Sequence, residues 1–492
     1  MFPFALSNLD KVLEASITDF RPARSEAQRP IPANIVFLAA RFAHYRVSSS
    51  LLHRVLESAL AKIEAVVDKS QQDMAVLTFW LSNCTLLLYY LRRDTGLETD
   101  TSSLQLTIAE IVHDIAALIE KDGERRMERI LVKAMLDYEN NPQPDLKYQG
   151  EWSLFRSKPK TAASEPIERQ ILPPSLDQQA RISPTNVQRE LESIANVLNI
   201  FDVHVVIKIQ ILAQLLYWIN ARLFNSIISA RGYRSRHKAT QIRFNIWQLE
   251  EYLRRQSQTS DRRDLGIFVN MRDIMVQTFE KQLAPTIQLL QWLQALSAQQ
   301  DVESLRDLMS KVHLLSAQQL MHTAKGYRAE SVGEKMPPKK VLRQIESLRT
   351  GVEQKRKSSI SMASSTNQDK LEPDNNDTRA STDQPSTPID SVSDELHTPT
   401  GLLLQEDFLL PFSLPTAAEL IGSYGSGYGH GRAERERAAK FIPEIPDEFW
   451  ESLESLGLTK TTSRDEVVMA NNEDGVDGEA EPEARPSWDA RD

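Results

Sequence analysis

The stretch from Met74 to Leu91 limits the fold of this chain more than any other, because it contains no charged side chain. A helix built from it is apolar on almost every face, so other apolar groups must enclose it. Its length reaches the threshold for a membrane span, which is roughly 18 residues. Thr78, Ser82 and Asn83 favour a soluble bundle, because their polar groups need hydrogen-bonding partners that lipid does not supply. We therefore expect a central core helix, and a membrane span is the alternative.

Amphipathic segments on both sides of this stretch predict further helices. Asn34 is a suitable N-cap for a helix in which apolar residues recur at three- and four-residue spacing. Further helices are expected over 51–68, 104–120 and 123–137, with a break between the last two. A second strongly apolar helix is expected over 203–229, where the uncharged run is too short and too polar to cross a bilayer.

Composition limits the classes of partner and chemistry. The net charge of -10 argues against general nucleic-acid affinity and against adsorption to an acidic membrane surface, so proteins are the expected partners. Cys84 is the only cysteine and lies in the apolar stretch, which excludes a disulfide framework and a cysteine zinc site and favours the cytoplasm. The histidines show no metal-ligand spacing, and the glycine-rich run 422–431 lacks the context of a phosphate-binding loop. We expect no catalytic residue, no metal and no cofactor.

Within the apolar stretch, six residues at a particular spacing resemble a motif of a known family. The set is Trp80, Leu81, Asn83, Leu87, Tyr90 and Leu91. It resembles the first motif of the DIL, or dilute, domain, which occurs in the globular cargo-binding tail of class V myosins and in fungal DIL-domain proteins that often contain ankyrin repeats. In that family, the helix with this tryptophan and asparagine is the packing centre of a helical tail.

A second set of residues resembles the second DIL motif and follows the first in the family's order. It comprises Phe224, Asn225, Gln241, Arg243, Asn245, Gln248, Glu250 and Glu251. A direct contact with a ligand is one interpretation of these side chains. The alternative is that Arg243, Asn245 and Gln248, with Glu250, cap and bridge neighbouring helices through buried polar contacts.

The resemblance implies an all-α fold, an elongated multi-helix bundle of the class V myosin globular-tail type, with a disordered insert and a disordered tail. Shifts in composition divide the chain accordingly. The expected parts are a flexible leader (1–29), a DIL-like helical domain (30–350) with a loop-rich insertion (139–184), a disordered linker (352–400), a closing segment that docks on the bundle (401–458) and an acidic disordered tail (459–492). Serines in the linker follow a basic run and are candidate phosphorylation sites.

One short segment concentrates positive charge on a chain whose net charge is negative. Its members are Arg231, Arg234, Arg236, His237 and Lys238. A patch of this kind steers acidic partners, so this loop is the candidate partner-binding surface, and Arg234 and Arg236 are expected to be exposed. The alternative is a solvated turn whose charges only keep the loop soluble.

The resemblance also implies a function that the apolar pattern alone does not. It implies a non-enzymatic cargo-binding or adaptor module that recognises proteins on vesicles or organelles in intracellular transport. The implied partners are vesicle or organelle receptors and small GTPases, and the implied location is cytoplasmic and peripheral on vesicles or the cytoskeleton. The alternative is a junctional or cytoskeletal scaffold that binds small GTPases or adhesion-complex proteins. No ankyrin repeats occur in the chain, which leaves a stand-alone module and a truncated chain both open.

Overall fold

The computed structural model describes most of the chain as helices. The described residues are 4, 6–22, 25–139, 182–259, 271–298, 302–329, 401–425 and 432–458, together with a few positions between 336 and 347. Their fold is all-α, as predicted: they contain no strand, and one isolated bridge joins Ser235 to Arg328. The predicted insertion, linker and acidic tail lie outside the described residues for nearly all of their length, and so does the second half of the glycine-rich run.

The helices belong to two compact units, one within Met1–Ile119, Val197–Ile207 and Ser413–Asp492, the other within Glu120–Asn196 and Lys208–Phe412. In chain order, the α-helices of the described residues are α1 (Leu9–Leu13), α2 (Ile31–Arg46), α3 (Ser49–Lys69), α4 (Met74–Arg93), α5 (Thr95–Asp100), α6 (Ser102–Glu128), α7 (Pro184–Ile200), α8 (Val205–Ser229), α9 (Arg236–Thr259), α10 (Met271–Ala295), α11 (Val302–Lys311), α12 (Ala317–Lys325), α13 (Ala417–Tyr424), α14 (Arg432–Lys440) and α15 (Asp447–Ser455).

Helix α4 is the expected central helix, and it lies in the core of the first unit. It begins where the Asp73 carboxylate accepts hydrogen bonds from the backbone N–H groups of Ala75 and Val76, as an N-cap does. Nearly all of its side chains are buried, including Asn83, whose amide group hydrogen-bonds to backbone atoms outside α4 that lipid would not supply. The second unit has its own core, in which α8 is the most apolar helix.

By length and composition alone, three of the described helices are capable of crossing a membrane, namely α4, α6 and α8. The prediction that the α8 region is too short and too polar was therefore wrong, because the helix extends over 25 residues, well beyond its uncharged run. In the fold, however, 83% of the most apolar window of α4 and 78% of that of α8 are buried inside the protein. Burial of this extent is what a core helix of a bundle requires.

Three local predictions differ from the structure for reasons of packing. Part of the predicted flexible leader is helical over residues 9–18, and its apolar side chains, among them Leu13 and Ile17, are buried in the first unit. Asn34 is not an N-cap: α2 already begins at Ile31, and the Asn34 side chain is buried inside the unit. The predicted break before Gly123 does not occur, because α6 continues through it. A Cβ atom at Gly123 would lie 2.9 Å from Leu215 and 3.0 Å from Ile194, so this glycine permits close approach of neighbouring helices.

Candidate partner-binding surface

The first motif contributes a buried polar contact that fixes the start of α2. The Oδ1 atom of Asn83 accepts the backbone N–H of Ala33 at 3.2 Å, and its Nδ2 donates to the carbonyl of Arg29 at 3.1 Å. The first N–H groups of a helix have no partner within the helix, and the proline at position 30 has no side chain that could cap them. Asn83 of α4 therefore supplies the missing cap from a neighbouring helix.

The other members of the first motif are packed in the core of the first unit. Each side chain is at most 1% exposed: Trp80, Leu81, Leu87, Tyr90 and Leu91. The Tyr90 hydroxyl donates to Oδ1 of Asn34 at 2.8 Å, and Nδ2 of Asn34 donates to the carbonyl of Glu444 at 2.7 Å. This motif places no side chain on the surface, so it cannot itself contact a partner.

The second motif begins with a residue pair near the end of α8. Phe224 is buried in the second unit. Asn225 holds the backbone of Leu404 at both polar groups, since its Oδ1 accepts the Leu404 N–H at 2.8 Å and its Nδ2 donates to the Leu404 carbonyl at 2.9 Å. The Asn225 amide thus supplies hydrogen-bonding partners to a backbone segment that has none from a helix or a sheet.

The part of the second motif on α9 contains another asparagine of the same kind. Nδ2 of Asn245 donates to the carbonyls of Met135 at 3.1 Å and Tyr138 at 3.0 Å, which follow the end of α6. Gln241 donates to Oδ1 of Asn245 at 3.3 Å. Asn245 is fully buried, so these bonds satisfy carbonyls that would otherwise lack a partner.

The charged members of the second motif are also engaged within the chain. The Arg243 guanidinium contacts the Glu250 carboxylate at 2.7 Å, and Glu250 is largely buried. Glu251 lies 3.7 Å from Arg255 one turn along α9. The backbone carbonyl of Gln248 accepts a hydrogen bond from the side chain of Gln188 at 2.9 Å. Two of these contacts lie within α9, and only the one at the Gln248 backbone joins two helices, so for these side chains the bridging interpretation stays a prediction.

The basic segment between α8 and α9 is divided between surface and interior. Arg231 is exposed in the turn after α8, and Arg236 and His237 are exposed in the first turn of α9. Lys238 forms an ion pair with Glu139, and that contact lowers the pKa of the Glu139 carboxyl. Three of the five predicted residues therefore present their side chains to solvent.

Arg234 was predicted to be exposed, and that prediction was wrong, since only 5% of the residue is accessible. Its guanidinium donates to the carbonyl of Ile228 at 2.5 Å and to those of Ile227 and Ser229 at 3.3 Å. The last carbonyls of a helix lack partners in the helix and carry partial negative charge, which attracts a cation. Burial lowers the pKa of Arg234, as expected for a charge removed from water. This arginine closes the end of α8.

Arg328 is an exposed basic residue that the sequence did not associate with this segment. Its backbone N–H donates to the carbonyl of Arg234 at 2.8 Å, next to the isolated bridge between Ser235 and Arg328. Arg328 follows α12 and is distant along the chain, so no local pattern indicated its position. The basic surface therefore consists of the exposed residues Arg231, Arg236, His237 and Arg328.

Comparison with known sequences identifies relatives of this chain. The sequence model of the DIL domain matches residues 210–331. A dilute domain-containing protein of Schizosaccharomyces pombe is 30% identical over 465 residues, which cover 93% of this chain and 73% of that protein. Unconventional myosin-Vb of Mus musculus is 25% identical over 256 residues, which cover 48% of this chain and 13% of that protein. The match to the fungal relative includes both motif regions, whereas the DIL sequence model covers only the second.

Comparison with solved structures identifies the same type of fold. A yeast myosin 5 cargo-binding domain has a TM-score of 0.50 and 14% identity, and the match covers 86% of this chain and 99% of that chain. Myo2-GTD, solved in complex with Smy1, also has a TM-score of 0.50 and 14% identity, with 72% and 86% covered. At this identity the likeness concerns the fold alone, and it confirms the predicted class V myosin tail type.

Proposed function

This chain belongs to the DIL, or dilute-domain, family, and from that premise we propose that it is a cargo-binding or adaptor module that recognises proteins on vesicles or organelles. The DIL-type globular tail is a non-enzymatic module, and this chain, which is of that type, is not an enzyme. The observation that carries the proposal is the shared fold with a cargo-binding domain over 86% of this chain. A relative of that fold was solved with a bound protein, Smy1.

The basic surface is our proposed point of contact with a partner. The two DIL motifs leave few polar groups for recognition, because Asn83, Asn225 and Asn245 hold the chain's own backbone. Arg231 and Arg236, by contrast, are exposed on a chain with a net charge of -10. An acidic face of a receptor or of a small GTPase would be attracted to them and would associate faster at low salt.

The function is tested first by affinity capture with the full chain as bait and cytoplasmic and vesicle fractions as prey. We expect receptors on vesicles or organelles and Rab-type GTPases to be enriched. Enrichment of junctional or adhesion-complex proteins instead would support the scaffold alternative. Absence of any protein that binds the purified chain directly would contradict the proposal.

The contact surface is tested with the double variant Arg231→Glu, Arg236→Glu and a captured, purified partner. A matched control reverses two exposed cations elsewhere, Arg54→Glu and Lys281→Glu, so both variants have the same net charge. Stopped-flow measurements at low and physiological salt should show slower association for the first variant alone, with a smaller difference at high salt. Equal association rates for the two variants at low salt would place the partner elsewhere on the chain.

A further inference from the structure

Residues 402–410, here called the strap, lie against α8 without forming helix or strand. Their exposure alternates along the chain: even-numbered residues from 402 to 414 are partly buried, and odd-numbered residues from 401 to 413 are exposed. A two-residue alternation is the pattern of a peptide that lies in a groove with one side facing it. Leu403 and Leu409 face outward and are 47% and 54% exposed.

The groove on α8 holds the strap mainly by its backbone. Asn225 binds both the N–H and the carbonyl of Leu404, as described above. Gln214 does the same further along, since its side chain donates to the Phe408 carbonyl at 3.0 Å and accepts the Leu410 N–H at 2.8 Å. The Tyr217 hydroxyl donates to the Gln405 carbonyl at 2.9 Å. Such contacts accept any sequence that adopts this backbone conformation.

Two further contacts depend on the side chains of the strap. The Glu406 carboxylate contacts Arg222 at 2.9 Å and also accepts a hydrogen bond from Asn225 at 2.9 Å. The Phe408 ring packs against the Tyr217 ring, with the ring centres 5.6 Å apart. The groove therefore selects an acidic residue and, two positions later, an aromatic residue, between apolar residues that face inward.

We propose that this groove on α8 is a binding site for acidic, aromatic-containing peptide segments of partner proteins, and that the strap occupies it in competition with them. The inference rests on the proposed function, since it concerns the partners of a protein-binding module. The strap belongs to the same chain, so its binding is intramolecular, with effective concentrations that reach the millimolar range. A partner peptide must displace it, and its apparent affinity is reduced in proportion to the occupied fraction.

The strap sequence itself is the first probe, because it shows what the groove accepts. A fluorescent peptide with the sequence of residues 401–414 is titrated into the full chain and into a full-chain variant with a weakened strap, Glu406→Arg with Phe408→Ala. These changes leave α8 intact. The weakened variant should bind the peptide at least tenfold more tightly than the native chain, as measured by fluorescence anisotropy.

Two matched variants show whether the peptide binds in the groove. Leu403→Ser with Leu409→Ser alters only outward-facing strap residues, so its affinity for the peptide should equal that of the native chain. Asn225→Leu, added to the weakened strap, removes the two bonds to the peptide backbone and should reduce binding at least tenfold. A peptide with arginine in place of its glutamate should also bind at least tenfold less tightly.

Hydrogen exchange provides a measurement that does not depend on variants. Saturating peptide should accelerate amide exchange of residues 402–410 in the native chain, while α8 stays protected. The inference is overturned if the weakened variant binds no more tightly than the native chain, or if Asn225→Leu has no effect. If the affinity capture fails but the peptide binds as expected, the proposed function is refuted and the inference about the groove still holds. The two failures are therefore distinguishable.

Discussion

Helix α4 and the segment between α8 and α9 both contain a buried polar side chain, but they differ in how readily the sequence indicates it. In α4 the buried polar residue is Asn83, within a stretch whose lack of charge predicts enclosure. In the basic segment it is Arg234, between residues whose charge predicts exposure. Each side chain satisfies backbone groups at a helix end: Asn83 the start of α2, and Arg234 the end of α8.

The difference shows that the partner of a polar group, rather than its charge, decides whether it is buried. A guanidinium loses much hydration on burial, and here several helix-terminal carbonyls replace the water. Neighbouring Arg236 is exposed, and among the described residues no such set of carbonyls surrounds its guanidinium. The basic segment thus contains both a structural residue, Arg234, and a candidate recognition residue, Arg236.

Truncating the central helix should have the largest effect of the changes considered. Trp80→Ala removes a side chain that is 1% exposed, and the resulting cavity should lower the free energy of unfolding by roughly 3 to 5 kcal/mol. The control is Trp247→Ala, since Trp247 is 45% exposed on α9 and should cost about 1 kcal/mol or less. Chemical denaturation checks both values, and similar losses for the two would contradict the assignment of α4 to the core.

Removing the polar contact between α4 and the start of α2 should have a smaller effect. Asn83→Leu conserves volume but leaves the Ala33 N–H and the Arg29 carbonyl without this partner, which should cost about 1 to 3 kcal/mol. Ser82→Ala, one position earlier and only partly buried, is the control and should change stability by less than about 0.5 kcal/mol. If both variants unfold at the same denaturant concentration, Asn83 does not cap α2.

The sequence predicted the features that depend on local pattern. The uncharged run predicted α4 and its enclosure, and apolar spacing predicted α2, α3 and most later helices. It did not predict the burial of Arg234, the continuation of α6 through Gly123 or the position of Arg328. Each of these depends on atoms that are distant in sequence: helix-end carbonyls, the side chains of neighbouring helices, or a bridge between two loops.

A buried carboxyl group on α6 should make stability depend on pH. Burial, and secondarily the nearby Glu124, raise the pKa of Glu120 from 4.5 to about 8. The folded state then holds a proton that the unfolded chain releases, so this stabilisation is complete below pH 4.5 and is lost as the pH rises towards 8. The slope from one group is at most about 1.4 kcal/mol per pH unit.

Glu120→Gln mimics the protonated side chain and should remove this dependence. Between pH 5 and 8, the variant should become progressively more stable relative to the native chain, as followed by urea denaturation at several pH values. Glu110→Gln, at an exposed position of the same helix, is the control and should keep the native pH profile. A parallel pH profile for Glu120→Gln and the native chain would show that Glu120 is ionised in the fold.

The most direct test of the account compares Arg234 with Arg236, two residues apart in the basic segment. Each is changed to methionine, and the free energy of unfolding is measured in denaturant. Arg234→Met leaves the carbonyls at the end of α8 without their cation, so it should cost about 2 kcal/mol, whereas Arg236→Met should change stability by less than about 0.5 kcal/mol. Equal effects of the two substitutions would contradict the separation of this segment into a buried structural residue and an exposed recognition residue.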